Sequence, residues 1–321
     1  MHDDRGGGAA HDGSMTNTAL STTGLTKRYG SRTVVDRLDI EIPTGVVAGF
    51  VGPNGAGKTT TMAMLLGLVR PSAGTADVLG HSIDVPRRYL AQVGALIETP
   101  AFYGALSAER NLRVLAAVGE HDPDRIPALL ELVGLGDRAD DPFRSYSLGM
   151  KQRLGMAAAM LGDPRLLILD EPANGLDPQG MREMRELIAR VARGGRTVLV
   201  SSHVLSELEQ ICDWLVMIER GDVLYSGPAA DFAADGATAL VVSTGRPDDV
   251  PALRALVVAG GHEPELHDGQ VVVRVLESQV DATAAGINRA AFEAGLVLSE
   301  LSPQRTTLQD RYLELVDGST R

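Results

Sequence analysis

Apolar and polar positions alternate near the start of the chain and then give way to short, continuously apolar runs. Residues 38–42 alternate as a half-buried strand does, whereas residues 46–51 are apolar throughout, which is typical of a strand buried on both faces of a parallel sheet. A glycine-rich loop and a helical pattern that ends at Pro71 follow this second run. The order of strand, loop and helix predicts the opening of an α/β fold.

The same rhythm returns further along the chain. Residues 166–169 and 197–200 have the apolar pattern of strands, and residues 178–191 between them have the pattern of a helix. From about residue 87 to residue 145 the pattern is helical, with loops marked by proline and glycine. We therefore predict further parallel strands, interrupted by a mostly helical insertion.

The composition changes after Gly227 and Pro228, since residues 237–321 contain 7 Arg, no Lys and 12 acidic residues. The pattern there predicts the order β-α-β-β-α-β, which indicates a small α+β ferredoxin-like domain. The predicted strands are about 239–244, 263–267, 270–276 and 295–301, the predicted helices are 250–259 and 280–294, and Asp268 and Gly269 form a tight hairpin turn.

These patterns divide the chain into three parts. We expect a disordered tail at residues 1–17, which have no apolar region of the kind that signal peptides contain. A main domain would cover residues 18–236 and include the helical part, about residues 87–162, and an accessory domain would cover residues 237–321. No apolar run approaches the roughly 18 residues that cross a bilayer, so any membrane role would come through a partner.

Charge and cysteine content exclude other classes of protein. The net charge of −12, from 42 acidic and 30 basic residues, argues against a nucleic-acid partner because phosphate neutralisation needs clustered Lys and Arg. The single cysteine, Cys212, excludes an intrachain disulfide and a cysteine-cluster metal site. Such low cysteine usage is typical of the reducing cytosol.

Residues 52–59 fit the spacing G-x-x-x-x-G-K-[ST] and lie between a buried strand and a helix, as a phosphate-binding loop does. Glycines let successive backbone N–H groups face an anion, Lys58 reaches the outer phosphates as a catalytic residue, and Thr59 offers its hydroxyl to Mg²⁺. The alternative, a glycine turn with a chance Lys-Thr pair, does not explain this context. The predicted nucleotide-binding residues here are Gly52, Pro53, Asn54, Gly55, Ala56, Gly57, Lys58, Thr59 and Thr60.

Two adjacent carboxylates, Asp170 and Glu171, end the predicted strand at 166–169, at the edge where open α/β sheets bind their ligands. We predict that Asp170 binds Mg²⁺ and that Glu171, pointing the other way, polarises the attacking water. The alternative is a pair of solvated acids. His203 follows the next strand and is predicted to contact the γ-phosphate; the alternative is a surface or core histidine.

Residues 146–153, with the sequence YSLGMKQR, resemble the signature of the ATP-binding cassette (ABC) family. Ser147 and Gly149 match the usual form L-S-G-G-Q, whereas positions 146, 148 and 150 depart from it. At the start of a predicted helix, Ser147 is suited to gripping a phosphate; without the flanking motifs it would be a plain helix cap. The resemblance covers residues 20 to about 228 and implies a P-loop ABC ATPase core, a parallel sheet with an N-terminal antiparallel β subdomain and a helical insertion.

The resemblance implies roles for further residues. Tyr29 matches the aromatic residue that stacks on adenine, the alternative being an ordinary strand tyrosine. Residues 174–177 match a loop that crosses the dimer interface in the family, and residues 201–203 match the region of its switch histidine. Glu98 replaces the family's usual glutamine in the loop that senses γ-phosphate. We predict that Glu98 binds Mg²⁺ directly or through water; if the loop is displaced, it faces solvent instead.

The signature and the tail segment 307–315 also resemble the ATPase subunits of bacterial drug, bacitracin and lantibiotic exporters. This implies a subunit that binds ATP and Mg²⁺, hydrolyses ATP as a homodimer, and joins integral membrane permease subunits at the cytoplasmic face of the membrane. The alternatives are a non-transport ABC ATPase with a regulatory or resistance role, and a P-loop kinase. The single cassette and the absence of a long coiled coil argue against the first, and the Ser147 segment argues against the second.

Overall fold

The computed structural model describes residues 18–97, 101–234, 238–267, 269–304 and residue 312. The predicted tail, residues 1–17, lies outside the described residues, as do Glu98, Asp268 and, apart from Tyr312, the segment 307–315. Within the described ranges, no helix combines the length and the hydrophobicity of a membrane span.

The strands of the described residues vary from two to twelve residues in length. In chain order they are β1 Thr18–Tyr29, β2 Arg32–Pro43, β3 Val47–Val51, β4 Ala73–Val78, β5 His81–Ser82, β6 Val93–Leu96, β7 Leu166–Leu169, β8 Thr197–Ser202, β9 Trp214–Glu219, β10 Asp222–Pro228, β11 Thr238–Thr244, β12 Pro264–His267, β13 Gln270–Val275 and β14 Leu298–Gln304.

The α-helices are joined by loops and by short 3-10 helices. In chain order they are α1 Lys58–Leu65, α2 Ala108–Val118, α3 Ile126–Leu132, α4 Leu148–Ala159, α5 Pro178–Ala192, α6 Leu205–Leu208, α7 Ala229–Ala234, α8 Val250–Ala259 and α9 Val280–Glu293. The 3-10 helices are Pro86–Arg88, Leu90–Gln92, Pro123–Arg125, Gly136–Arg138, Phe143–Ser145, Pro247–Asp249 and Glu277–Gln279.

Six strands form the central sheet, in the order β10-β9-β3-β8-β7-β6. The strands from β9 to β6 run parallel, and β10 pairs antiparallel with β9 at one edge. The predicted strands at 46–51, 166–169 and 197–200 are confirmed as β3, β7 and β8, in which every residue is buried. Because neighbouring parallel strands end at the same edge, the loops after β3, β7 and β8 meet there.

Successive residues of these strands enter two different apolar cores. Val47 and Leu167 pack on one face with residues of α2, α3, α4 and α5. Ala48 and Ile168 pack on the other face with residues of α1 and of the antiparallel strands β1 and β2. Each large apolar side chain buried in this way contributes roughly 1.5–3 kcal/mol, so the two cores fix the sheet between its layers.

The antiparallel sheet at the start of the chain has the order β2-β1-β4-β5. The alternation predicted at residues 38–42 is confirmed, since Leu38, Ile40 and Ile42 are buried while Asp39 and Glu41 are exposed. The buried side chains belong to the core that covers one face of the central sheet. This sheet therefore covers the face of the central sheet on which α1, the helix after the glycine-rich loop, also packs.

One strand interrupts the stretch that was predicted to be helical, about residues 87–145. Residues 93–96, which lie in the stretch predicted to be helical, form the edge strand β6 and pair in parallel with β7. The helices α2, α3 and α4 follow, between β6 and β7 in the chain. Ser107 caps α2 by accepting a hydrogen bond from the N–H of Arg110. Pairing with a buried neighbour thus decides the structure of residues 93–96 against their local pattern.

The last part of the described chain has the predicted order β-α-β-β-α-β, and its antiparallel sheet has the order β12-β13-β11-β14. Helices α8 and α9 cover one face around a separate apolar core. The prediction for the last strand, 295–301, is wrong at its start, because β14 begins at Leu298. The N–H groups of Gly295 and Leu296 still donate to carbonyls of α9, so these residues close the helix instead.

Candidate functional site

The phosphate loop joins β3 to α1, and its backbone is shaped by close contacts. At Gly57 the φ angle is 105°, and a Cβ there would lie 2.7 Å from the carbonyl oxygen of Val34. At Gly52 a Cβ would lie 2.3 Å from the carbonyl oxygen of Ile218. Only glycine fits at both positions, and the first N–H groups of α1 have no intrahelical acceptor. The loop therefore has the form of an anion site at a helix N-terminus.

Lys58 is the first residue of α1, and only 5% of its surface is exposed. Its ammonium donates hydrogen bonds to the carbonyl oxygens of Gly52, at 2.7 Å, and Pro53, at 3.3 Å. Glu171 Oε1 lies 3.2 Å from the same nitrogen. These contacts satisfy a buried charge and hold Lys58 within the loop that sequence analysis assigned to phosphate.

Thr59, Asp170 and Ser201 form a chain of hydrogen bonds that connects α1 to β7 and β8. The hydroxyl of Thr59 donates to Asp170 Oδ2 at 2.7 Å, and that of Ser201 donates to Asp170 Oδ1 at 2.6 Å. The N–H of Glu171 donates in turn to Ser201 Oγ at 2.8 Å. Ser201, which the family resemblance places in the region of the switch histidine, was not among the predicted site residues.

Glu171 leaves β7 with a φ of 48°, an unusual value for a residue other than glycine. This turn directs its carboxylate away from Asp170, toward Lys58 and toward His203 Nδ1, which lies 2.6 Å from Glu171 Oε2. The predicted carboxylate pair is thus split between two surroundings: Asp170 faces hydroxyl groups, and Glu171 faces a lysine and a histidine. Backbone strain of this kind concentrates at functional sites.

A cavity of about 310 Å³ opens beside the loop. It is lined by Tyr29, Arg32, Val34, Asn54, Gly55, Gly57, Lys58, Thr59, Thr60, Glu171 and Asn174. Tyr29 is 51% exposed, and Lys27 Nζ lies 4.8 Å from its ring centroid, which leaves the other ring face for a flat ligand. The sequence motifs did not indicate Arg32 and Val34 as lining residues, because only the pairing of β1 with β2 brings them here.

The residues of the signature lie apart from this cavity. Ser147 is exposed and caps α4, where its hydroxyl accepts a hydrogen bond from the N–H of Met150. Neither Ser147 nor Gly149 lines the cavity among the described residues. Leu148 and Gly149 instead lie against Gly175 and Leu176, in the loop that follows Glu171. The predicted site residues therefore form two groups on one chain, one at the phosphate loop and one at the start of α4.

Comparison with known proteins agrees with these motifs. A family model described as ABC transporter matches residues 35–174. The bacitracin transport ATP-binding protein BcrA of Bacillus licheniformis is 37% identical over 94% of this chain and 99% of its own length. The daunorubicin resistance ATP-binding protein DrrA3 of Streptomyces coeruleorubidus is 33% identical over 96% of this chain and 98% of its own length.

A solved structure described as the ATP binding subunit of an ABC transporter is 31% identical and superposes with a TM-score of 0.61, over 68% of this chain and 93% of that one. The sequence motifs, the order of the strands and these full-length relatives agree with one another. The chain belongs to the ABC transporter family, as a subunit that binds ATP and hydrolyses it to power transport.

Proposed function

We propose that the cavity beside the phosphate loop binds ATP with Mg²⁺, and that Glu171 is the base for its hydrolysis. The observation that carries this proposal is the position of the Glu171 carboxylate, held between Lys58 at 3.2 Å and His203 at 2.6 Å at the wall of the cavity. A carboxylate next to both a phosphate-binding lysine and a histidine is suited to accept a proton from water close to a phosphate.

The residues at the metal position fit Mg²⁺ by the chemistry of their donors. Thr59 and Asp170 offer a hydroxyl and a carboxylate oxygen that lie 2.7 Å apart, and Mg²⁺ prefers oxygen ligands of this kind. When bound, Mg²⁺ would offset the negative charge of the phosphates. Glu98, which lies outside the described residues, stays a proposed third ligand, direct or through water.

The chemistry of hydrolysis follows from the remaining groups. Lys58 exchanges its bonds to Gly52, Pro53 and Glu171 for oxygens of the outer phosphates, which releases the Glu171 carboxylate. The oxygen of a water forms a bond to the γ-phosphorus, the bond from that phosphorus to the β–γ bridging oxygen breaks, and the water's proton passes to Glu171. His203 holds Glu171 through its hydrogen bond and contacts the departing phosphate.

A second copy of the chain would complete the site. Ser147 is exposed at the N-terminus of α4, a position suited to phosphate binding, yet it does not line the cavity of its own chain. We therefore propose a homodimer in which Ser147 and Gly149 of each copy close over the nucleotide of the other. Tyr29 would stack on adenine in the same closed state.

The proposed cargo is a drug or a peptide antibiotic, exported through integral membrane permease subunits at the cytoplasmic face of the membrane. The relatives named for bacitracin transport and daunorubicin resistance, each matched over nearly its whole length, support this cargo class. Raised resistance to such a compound, in cells that express the chain together with its permease, would test the assignment.

The variant Glu171→Gln tests the site directly. It should lower ATP hydrolysis by about 100-fold or more, since general-base catalysis contributes 10²–10⁴-fold, while nucleotide binding is retained. It should also accumulate as an ATP-bound dimer in size-exclusion chromatography. The control Glu186→Gln, on the exposed side of α5, should hydrolyse ATP like the wild type. A Glu171→Gln protein that releases phosphate at the wild-type rate would refute the proposed base.

A further inference from the structure

Arg32 is a charged wall residue of the cavity without an assigned role. It begins β2, directly after the two-residue turn Gly30-Ser31, and its register partner across the hairpin is Tyr29. Residues directly opposite in an antiparallel pair project to the same face of the sheet. The Arg32 side chain therefore stands beside the aromatic ring proposed to stack on adenine, and both line the cavity.

The other end of this wall is set by Val34, two residues further along β2. Its carbonyl oxygen lies 2.7 Å from the position of a Cβ on Gly57, so this part of β2 touches the phosphate loop. The N–H of Asp36 donates to the carbonyl of Gly221 at 3.1 Å, which holds the strand from its other side. A strand rises about 3.3 Å per residue, so Arg32 lies roughly 7 Å from Val34, between the phosphate loop and Tyr29.

Among the charged residues that line the cavity, Arg32 has no partner in the described part of the chain. The charged residues that line the cavity are Arg32, Lys58 and Glu171. Lys58 and Glu171 form an ion pair at 3.2 Å, whereas Arg32 is exposed and makes no ion pair or side-chain hydrogen bond with any described residue. A free guanidinium at the wall of an anion site offers the planar, fixed donors that phosphate oxygens accept.

We infer that Arg32 binds the α-phosphate of the nucleotide, the phosphate that lies between the base at Tyr29 and the outer phosphates at Lys58. This inference rests on the proposed function, because it assumes that ATP occupies the cavity. The contact would be the same before and during hydrolysis, since the bond that breaks lies between the β and γ phosphates. Arg32 therefore contributes to affinity for ATP and ADP alike and leaves the catalytic rate unchanged.

The test measures the affinity of the full chain for ADP and for a non-hydrolysable ATP analogue by isothermal titration calorimetry. Arg32→Gln and Arg32→Ala should weaken the binding of both nucleotides by about 10-fold, the cost of one charge-assisted hydrogen bond, and Arg32→Lys should retain part of the affinity. The kcat at saturating ATP should stay within about two-fold of wild type. Thermal unfolding should be unchanged, because Arg32 has no partner within the described chain.

The variant Arg28→Ala is the matched control, because Arg28 is exposed on the adjoining strand β1 and does not line the cavity. Wild-type ADP affinity in Arg32→Gln would overturn the inference alone. So would a loss for the ATP analogue without a loss for ADP, which would indicate a γ-phosphate contact, or an equal loss in Arg28→Ala, which would indicate attraction by surface charge only. A wild-type chain that bound neither nucleotide would overturn the proposed function and this inference with it.

Discussion

At the scale of single residues, Asp163 links two parts of the molecule that are far apart in the chain. Its Oδ1 accepts hydrogen bonds from Arg196, just before β8, at 2.6 Å and from Arg125, just before α3, at 3.0 Å. Arg125 also donates to the carbonyl of Leu161 at 3.0 Å. The hydrogen bond from Arg196, and then the charge of Arg125, hold the pKa of Asp163 below its ordinary value of 3.8.

We predict that Asp163→Asn destabilises the protein at neutral pH by about 0.5–1 kcal/mol, a value discounted for solvent screening because the side chain is 60% exposed. The folded state has the lower pKa, so the stabilisation is complete above pH 3.8 and is lost as the pH falls through the lowered value. Urea unfolding of both proteins at several pH values should therefore give free energies of unfolding that become equal only below pH 3.8.

The same difference should shrink in high salt, because the pair is partly exposed. Asp137→Asn is the control, since Asp137 is exposed and has no ion pair among the described residues. A stability difference that stayed constant down to acid pH would show that the Asp163 carboxylate acts by packing and not by charge.

At the scale of secondary structure, helix α4 meets the edge strand β6 without space for a side chain. A Cβ on Gly94 would lie 1.9 Å from the carbonyl oxygen of Ala159, the last residue of α4, and 2.8 Å from Leu167 Cδ2. The other end of α4 carries Ser147 and contacts the loop after Glu171. A displacement at Gly94 would therefore be transmitted along a helix of roughly 18 Å to the signature residues.

We predict that Gly94→Ala lowers the free energy of unfolding by roughly 1–3 kcal/mol, the usual cost of overpacking, and lowers ATPase activity as well. Chemical denaturation and phosphate release would measure the two effects. Gly286→Ala in α9 is the matched control, because a Cβ there has nothing within 4 Å. It should stabilise the helix by about 0.5–1 kcal/mol and leave ATPase activity unchanged. Equal stability of the two variants would contradict this account of the contact.

Local sequence predicts those elements whose environment is uniform. Residues 166–169 are apolar throughout and were predicted as the strand that β7 forms, and helix α8 has the predicted bounds 250–259. Where a distant partner decides, the prediction fails: β6 exists because it pairs with β7, and β14 starts at Leu298 because it pairs with Thr244 of β11. At the site, the motif spacing indicated Lys58, Asp170 and Glu171, but only the fold brings Ser201 and Arg32 to them.

At the scale of the whole molecule, three apolar clusters fill the described part of the chain. Two of them share the central sheet, one on each face, whereas the third belongs to β11, β13 and the helices α8 and α9. Tyr312 packs against the cluster that contains Phe232, and burial, together with the nearby Glu219, raises the pKa of its hydroxyl. Tyr312, which follows the third cluster in the chain, thus packs against the core of the ATPase.

We predict that nucleotide binding is among the last properties to return on refolding. The site joins residues from Tyr29 to His203 through strands that are not neighbours in sequence, and such non-local pairing is slow. After dilution from urea, far-UV circular dichroism should recover first. Fluorescence of Trp214, the single tryptophan and a residue of β9, should recover later, together with binding of a fluorescent ADP analogue. Binding at the rate of the earliest helical signal would contradict this order.

The position of β3 in the sheet has a consequence for chains that are still being synthesised. Its two hydrogen-bonded neighbours, β8 and β9, leave the ribosome long after the phosphate loop has done so. A nascent or prematurely terminated chain therefore carries the complete loop sequence without the strands that hold it open for a ligand. We therefore expect such fragments to bind no ATP until β8 and β9 have been added beside β3.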